Sequence, residues 1–367
     1  MPQMKVLIIT NLYLSKSATL PDRNLFLGLH SKGVDLTIIT RGPTPESIEL
    51  ESAGIKLVYQ YIEKKIDFPA IRKIRSLLKE EKYEILHFTF GKAITNGLIA
   101  SFGIKTKNIA YFGSLRLHWH DPFSYLSFLN HRIDRLICVS DAVKAHVLKQ
   151  APLRMKNRAV RIYKGADPEW FKDVVPAKRK ELSIPEDAFI VCCVANIRKI
   201  KGLDWLIKAA EFLPANLPVW FLLVGDKTDS EAVREKIERT SHKDKFITIG
   251  YAEDPNCYTA LCDLYIQPSV SEGLGRSVIE AMCLRKPVVV TDKGGAKELV
   301  KEGITGFVVP VKSAKAIAYI IADCYNNLSK LPLMGEKARE SVINDFNHKI
   351  TIESTYNLYR ELLGIKT

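Results

Sequence analysis

The sequence predicts an α/β protein of two doubly wound lobes. Three observations carry this. Short β-branched runs alternate with stretches of helical apolar spacing, the alternation halts at a joint rich in Pro and charge and then restarts, and 367 residues are too many for one ordinary core. In the first half the strand segments are KVLIIT (5–10), DLTIIT (35–40), IKLVYQ (55–60), EILHF (84–88), NIAYF (108–112), RLICVS (135–140) and VRIY (160–163). Between them run helical spacings such as Phe68, Ile71, Ile74, Leu77 and Leu78. Strands that are apolar throughout belong to a parallel sheet covered on both faces. The joint, residues 163–187, lacks periodicity and reads as a linker. The second half repeats the pattern with AFIVCCVA (188–195), PVWFLLVG (218–225), FITIG (246–250), DLYIQPS (263–269), PVVVTD (287–292) and GFVVPV (306–311). From Ser313 onward the chain reads as helix.

Composition and motifs exclude several classes. A hydrophobic fraction of 47% fits a globular protein, and no apolar run approaches the ~20 residues of a bilayer span. The start, MPQMKVLIITNLY, enters a strand without the regions of a secretory signal, so a cytoplasmic protein is expected. The seven cysteines form no CxxC pair and sit in apolar contexts, which predicts reduced core residues. NLYLSKSATL follows the first strand without a glycine, against a dinucleotide-binding turn, and no GxxxxGK[ST] phosphate loop occurs.

Charge is unevenly spread. Residues 1–165 carry 26 Lys and Arg against 13 Asp and Glu, whereas residues 166–367 carry 28 of each, so the whole net charge of +13 lies in the first half. That asymmetry points to an anionic partner. Around it FPAIRKIRSLLKEEKY (68–83) places Arg72, Lys73, Arg75 and Lys79, and LRLHWHDPFSYLSFLNHR (115–132) mixes Trp119, Phe123, Tyr125 and Phe128 with cations. Aromatics with cations suit an anionic membrane surface; no nucleic-acid recognition motif is present. The competing reading of 68–83 is a helix whose apolar stripe packs on the sheet.

Strand exits in the second half carry the chemistry. Arg198, Lys199 and Lys201 precede a helix expected near Gly202, an arrangement suited to a diphosphate. Gly225 and Asp226 mark the next exit. In SEGLGRSVIEAM (271–282), Gly273 and Gly275 let backbone approach a ligand, a helix begins near Arg276, and Glu272 and Glu280 offer carboxylates to hydroxyls. Carboxylates beside phosphate-binding amides describe a sugar-nucleotide pocket.

The segments KGLDWLIKAA, FLLVGD, PSVSEGLGRSVIEAM, KPVVVTDKGGAKELV and GITGFVVP, in this order over most of 190–310, resemble the donor-binding half of retaining glycosyltransferases of family 4. MKVLIIT, YEILHFTF, LICVSDAV and VRIYKGADPEWF resemble the other half more loosely. The resemblance implies the GT-B architecture, two Rossmann-like lobes facing a central cleft, with a C-terminal helix returning to the first lobe. Its domains would be an acceptor-binding 1–165 with about 350–367, and a sugar-nucleotide-binding 166–349.

By the same resemblance Glu272 binds donor-sugar hydroxyls, Glu280 holds the nucleotide ribose, Lys201 neutralises the diphosphate, and the amides of Gly273, Leu274, Gly275 and Arg276 contact phosphates and sugar. Gly225 and Asp226 belong to the donor site, and Tyr251 lies where the base is contacted. The family's partner arginine is Asn196 here, with Arg198 as its substitute. The glycine pair usual after the first strand is replaced by 11–19. A family histidine has no direct counterpart, which leaves His118, His120 and Asp121 as acceptor-side candidates.

Lys201, Arg198 and helix N-termini would stabilise the leaving diphosphate without a metal or other cofactor, since no DxD-type acidic motif stands in a metal-binding context. Retention by front-face substitution is implied by the resemblance. The expected partners are a nucleotide sugar, of UDP type, a lipid-linked or glycan acceptor of lipopolysaccharide or polysaccharide biosynthesis, and the inner face of the cell membrane. A soluble sugar or sugar-phosphate synthase, and a non-catalytic sugar-nucleotide or nucleic-acid binding protein, remain alternatives.

Overall fold

In a computed structural model, residues 4–13 and 16–365 are described. The first three residues, two positions of the 11–19 segment and the last two of the expected terminal helix lie outside them. The chain divides into two compact units. One ends at Lys164 and takes back the chain from His348; the other is Gly165–Asn347.

The first unit holds strands β1 (Lys5–Ile9), β2 (Asp35–Thr40), β3 (Lys56–Tyr59), β4 (Ile85–Phe88), β5 (Lys107–Phe112), β6 (Arg135–Cys138) and β7 (Ala159–Arg161). They pair in parallel in the order β3-β2-β1-β4-β5-β6-β7, so the direction of winding reverses between β1 and β4. Helices α1 (Lys16–Ser31), α2 (Pro45–Ser52), α3 (Phe68–Glu81), α4 (Gly91–Ala100), α5 (Pro122–Leu126) and α6 (Asp141–Gln150) connect them.

The second unit holds β8 (Phe189–Val194), β9 (Val219–Val224), β10 (Phe246–Gly250), β11 (Leu264–Gln267), β12 (Val288–Thr291) and β13 (Gly306–Val309) in the order β10-β9-β8-β11-β12-β13, again parallel. Here the reversal falls between β8 and β11. Its helices are α7 (Leu203–Ala209), α8 (Glu231–Glu238), α9 (Asn256–Leu261), α10 (Arg276–Cys283), α11 (Ala314–Asn326) and α12 (Leu331–Asp345). The last helix, α13 (His348–Leu363), belongs to the first unit.

All thirteen strand segments read from the sequence contain strands; the central ones are apolar runs buried nearly throughout, whereas the edge strands β3, β7, β10 and β13 keep half-buried or exposed positions. In the first unit Val6, Ile8, Ile38, Ile85 and Ile109 form a core with Leu358 and Tyr359 of α13. Gly28 of α1 lets α13 approach so closely that a Cβ there would stand 2.3 Å from Ile352 Cδ1. The second core joins Val191, Leu223, Ile266 and Val289 to Leu206 of α7 and Ile321 of α11.

Three expectations are corrected. The stripe on α3 is rotated: Ala70, Ile74, Leu77 and Leu78 are buried, but Phe68, at the N-terminus, is 74% exposed. The tail is three helices, interrupted around Asn327 and again at Phe346 and Asn347, where the chain passes back to the first unit. The helix after Gly202 has only seven residues, too short for a substantial dipole, so side-chain charge matters more there than backbone alignment. All cysteines are free and all but Cys257 are buried. Among the described residues no helix is long and apolar enough to cross a membrane.

Candidate active site

The exits of β8 and β11 adjoin where the second sheet reverses its winding, the place where parallel α/β sheets leave a crevice at their carboxyl ends. Asn196 begins the β8 exit. Its Oδ1 accepts from the Asp226 amide at 3.1 Å, while the Ile197 amide donates to Asp226 O at 3.0 Å, tying the exits of β8 and β9 together. Gly225, at φ +137°, permits this closeness: a Cβ there would lie 2.5 Å from Ala195 O.

The chain then makes a short turn, Lys199–Lys201, ending at Gly202 with φ +69°. A Cβ on Gly202 would stand 1.9 Å from Pro268 O, so only glycine lets the turn lie against the β11 exit. The two loops are locked by Ile200 O, which accepts from the amides of Val270 (2.8 Å) and Ser271 (3.3 Å).

This lock brings Lys201 to Glu272, with Nζ and Oε2 2.6 Å apart and side chains 26% and 15% exposed. Arg198, exposed, immediately precedes the Lys199–Lys201 turn. Beneath Glu272 runs a buried polar chain. Ser269 Oγ donates to Glu272 Oε2 (3.2 Å), Gln267 Nε2 to Ser269 Oγ (2.9 Å), and the hydroxyls of Tyr265 and Ser277 to Gln267 Oε1 (2.9 Å each). On the other side Gly294, at φ +86°, lies so near that a Cβ would be 2.2 Å from Glu272 O, and the Gly295 amide donates to that oxygen at 2.9 Å. Glu272 is therefore fixed at both backbone and carboxylate.

Gly275, at φ +92°, opens α10 without a side-chain cap, and Gly273, Leu274 and Gly275 are buried. Glu280 projects one turn into α10 with its side chain 14% exposed and Oε1 3.5 Å from Arg276 Nη2. Burial pushes its pKa from 4.5 to about 7; Arg276 opposes the rise and Asp254 adds to it. Tyr251, just after β10, is 68% exposed.

The first-unit candidates are arranged differently. His118 stacks on His120 with centroids 5.3 Å apart and meets His146 edge-on. Both are exposed. Asp121 caps α5, accepting from the Phe123 amide at 3.0 Å and from Ser124 Oγ at 3.3 Å, so its carboxylate has a structural task.

Sequence reasoning passed over Gln267, Ser269, Ser277, Gly294 and Gly295. Ser269, Ser277 and the glycine pair stood inside the quoted motifs, and their presence there was the available signal. Gln267 carried none, since a polar side chain in a strand declares no partner.

The family pattern described as "Glycosyl transferases group 1" matches residues 174–341, and that described as "Glycosyltransferase Family 4" matches 23–170. The capsular polysaccharide biosynthesis glycosyltransferase CapM of Staphylococcus aureus is 26% identical over 91% of this chain and 92% of its own length. The UDP-Gal:alpha-D-GlcNAc-diphosphoundecaprenol alpha-1,3-galactosyltransferase of Escherichia coli is 23% identical over 81% and 80%. Against the putative glycosyltransferase EpsD of Bacillus subtilis the match, 26% identical, spans about half of each chain (55% and 54%). Among solved structures, a glycosyltransferase from Rickettsia africae superposes with a TM-score of 0.83 at 22% identity over 100% of both chains. Anabaena HepE in complex with UDP-glucose does so at 0.77 and 21%, over 99% of this chain and 100% of its own.

Proposed function

This chain belongs to the family 4 glycosyltransferases, and from that premise we propose that it is a retaining enzyme moving a sugar from a UDP-sugar to a lipid-linked or glycan acceptor. The observation that carries the reading is the 2.6 Å contact of Lys201 with Glu272 at the sheet's reversal point. A donor sugar offers hydroxyls to the Glu272 carboxylate, and its diphosphate an anion to Lys201 and Arg198. On this reading Glu280 accepts from ribose hydroxyls.

Cleavage of the anomeric bond leaves negative charge on the diphosphate. Lys201, Arg198 and the uncapped start of α10 oppose that charge before it develops, and fixed cations and amides stabilise a transition state most where water is excluded. The leaving group needs no metal on this reading. Retention fits a front-face substitution in which the departing phosphate helps deprotonate the acceptor.

The acceptor side draws support from the first lobe. Its charge excess accompanies exposed Trp119 (62%) and Phe123 (51%), with Lys65 Nζ 3.3 Å above the Phe123 ring. Such a surface suits peripheral attachment to the inner, anionic face of the cell membrane. Arg75 keeps its charge but is tied to Ala100 O and Phe102 O, so its guanidinium is less free to reach a headgroup. The relatives named for a diphosphoundecaprenol substrate and for capsular polysaccharide point the same way.

The test is transfer of label from UDP-[14C]sugars to membrane extracts. Label is expected in the lipid fraction and lost in Glu272→Ala; undiminished label in that variant refutes the site. Flotation with anionic vesicles tests attachment, and a protein that stays at the bottom favours a water-soluble acceptor.

A further inference from the structure

The polar chain beneath Glu272 has a direction, and one residue sets it. Gln267 closes β11 and is 1% exposed. The two ends of its amide cannot exchange roles: Nε2 only donates and Oε1 only accepts. Oε1 faces the hydroxyls of Tyr265 and Ser277, at 2.9 Å each, and takes a hydrogen from both. Nε2 faces Ser269 Oγ at 2.9 Å. A hydroxyl owns one hydrogen, so a serine that accepts from Nε2 sends its own to Glu272 Oε2, 3.2 Å away. With the amide turned over, Ser269 would have one hydrogen for two acceptors, Gln267 Oε1 and Glu272 Oε2, and lone pairs would be left facing one another in a buried place.

This direction decides how Glu272 is presented. Oε2 receives both Lys201 Nζ, at 2.6 Å, and Ser269 Oγ. Oε1 receives no hydrogen bond among the described residues. Lysine alone does not fix that division, because an ammonium on a flexible stem serves either oxygen equally well. The serine is stiffer. Its backbone carbonyl accepts from Thr291 Oγ1 at 2.5 Å, and its hydroxyl hydrogen is committed by Gln267. A directed donor and a cation on one oxygen hold the carboxylate plane and leave the second oxygen open.

We propose that Gln267 is a positioning residue for the donor sugar: by donating to Ser269 it directs the serine hydrogen onto Glu272 Oε2 and keeps Oε1 presented to a hydroxyl of that sugar. The inference rests on the donor reading of Glu272 and adds to it a residue too buried to touch a ligand itself. Its signature is selective. UDP, which lacks the sugar, gains nothing from Oε1, so the relay contributes to UDP-sugar affinity and not to UDP affinity.

Calorimetric titration with UDP, UDP-glucose, UDP-galactose and UDP-N-acetylglucosamine reads that difference. Each variant is compared with the wild type at the same pH, on the sugar nucleotide that the wild type binds most tightly. Ser269→Ala removes the directed hydrogen and leaves Tyr265 and Ser277 their acceptor. Its UDP-sugar affinity should fall about five- to tenfold, with UDP affinity unchanged within about twofold. Gln267→Glu is isosteric and supplies a readout that a merely structural role would not move. Burial pushes the introduced carboxyl above the usual carboxylate range. Protonated, it donates to Ser269 and accepts from Tyr265 and Ser277, as the amide does. Ionised, it only accepts, and takes the serine hydrogen away from Glu272. This variant should therefore match the wild type within about twofold at pH 5.5 and bind the UDP-sugar about tenfold more weakly at pH 8.5, while its UDP affinity stays within about threefold. Thermal melting at both pH values records any cost to folding separately. UDP-sugar affinity indifferent to both substitutions, a parallel loss of UDP and UDP-sugar in either, or a Gln267→Glu deficit that does not change with pH overturns the proposal. Failure of the donor reading looks different: the wild type then binds neither UDP nor any of the three sugar nucleotides.

Discussion

Replacing Glu280 by glutamine tests the electrostatics of the donor site through stability. A carboxyl whose pKa is raised on folding holds its proton more tightly in the folded state than in the unfolded chain. Its stabilising contribution is therefore complete below the unfolded value of 4.5 and is lost as pH rises to the folded value of about 7. At ~1.4 kcal/mol per pH unit, that displacement amounts to about 3 kcal/mol, of which about 2.5 kcal/mol falls between pH 5 and pH 8.5. Glutamine has nearly the same shape and no titration, so Glu280→Gln should gain about 2.5 kcal/mol on the wild type across that window.

Urea unfolding at five pH values measures the difference. Trp170, Trp205 and Trp220 lie in the second unit, so tryptophan fluorescence reports mainly on the lobe that contains Glu280. A difference between the two proteins that stays flat within about 0.5 kcal/mol from pH 5 to pH 8.5 would refute the assignment of a raised pKa to burial. Ligand binding supplies the complement. If ribose hydroxyls donate to the ionised carboxylate, UDP-glucose, whose diphosphate does not titrate here, should bind about tenfold more weakly at pH 6 than well above pH 7. In Glu280→Gln that pH dependence should vanish along with most of the affinity.

Other outcomes follow from the same geometry. Lys201→Gln should weaken UDP binding and, by leaving the Glu272 carboxylate without its cation, lower the melting temperature; differential scanning fluorimetry with and without UDP reads both. Gly202→Ala places a methyl against Pro268 O in a left-handed turn, which neither backbone can relieve cheaply, and should cost about 2–4 kcal/mol by urea unfolding. At Gly28 the obstacle is the tip of Ile352, so Gly28→Ala should lose about 1–2 kcal/mol after its helix-propensity gain, and Ile352→Ala in the same chain should restore part of it in a double-mutant cycle. Transfer activity should survive saturating EDTA, measured with the labelled-donor assay.

The two sheets were legible because their strands are apolar runs with clear punctuation, a signal that needs no knowledge of tertiary partners. Glu272, Lys201 and Glu280 were legible for a different reason. Their glycines record what the backbone must do there: Gly202 passes against Pro268 O, and Gly275 takes the left-handed conformation that opens α10. The polar chain from Tyr265 through Gln267 to Ser269 was not, because hydrogen bonding between alternate residues of a buried strand leaves no periodic trace. The rotated stripe of α3 shows the same limit. Asp67 caps the helix and sets its start, yet which apolar residue stays in water depends on what the sheet offers opposite.

Arg41 marks the far end of that scale. Tyr13, Arg41 and Tyr61 are widely separated in sequence and sit just beyond three different strands, so nothing in their spacing declares that they stack. Strand order brings them together, since β3, β2 and β1 are adjacent while β4 follows on the far side of β1. The reversal of winding that makes a crevice beside β8 and β11 makes another beside β1 and β4, and each is lined with cations. In the second lobe the lysine faces a glutamate, a combination suited to a molecule bearing both hydroxyls and a diphosphate. In the first lobe Arg41, exposed at the exit of β2, makes no ion pair among the described residues.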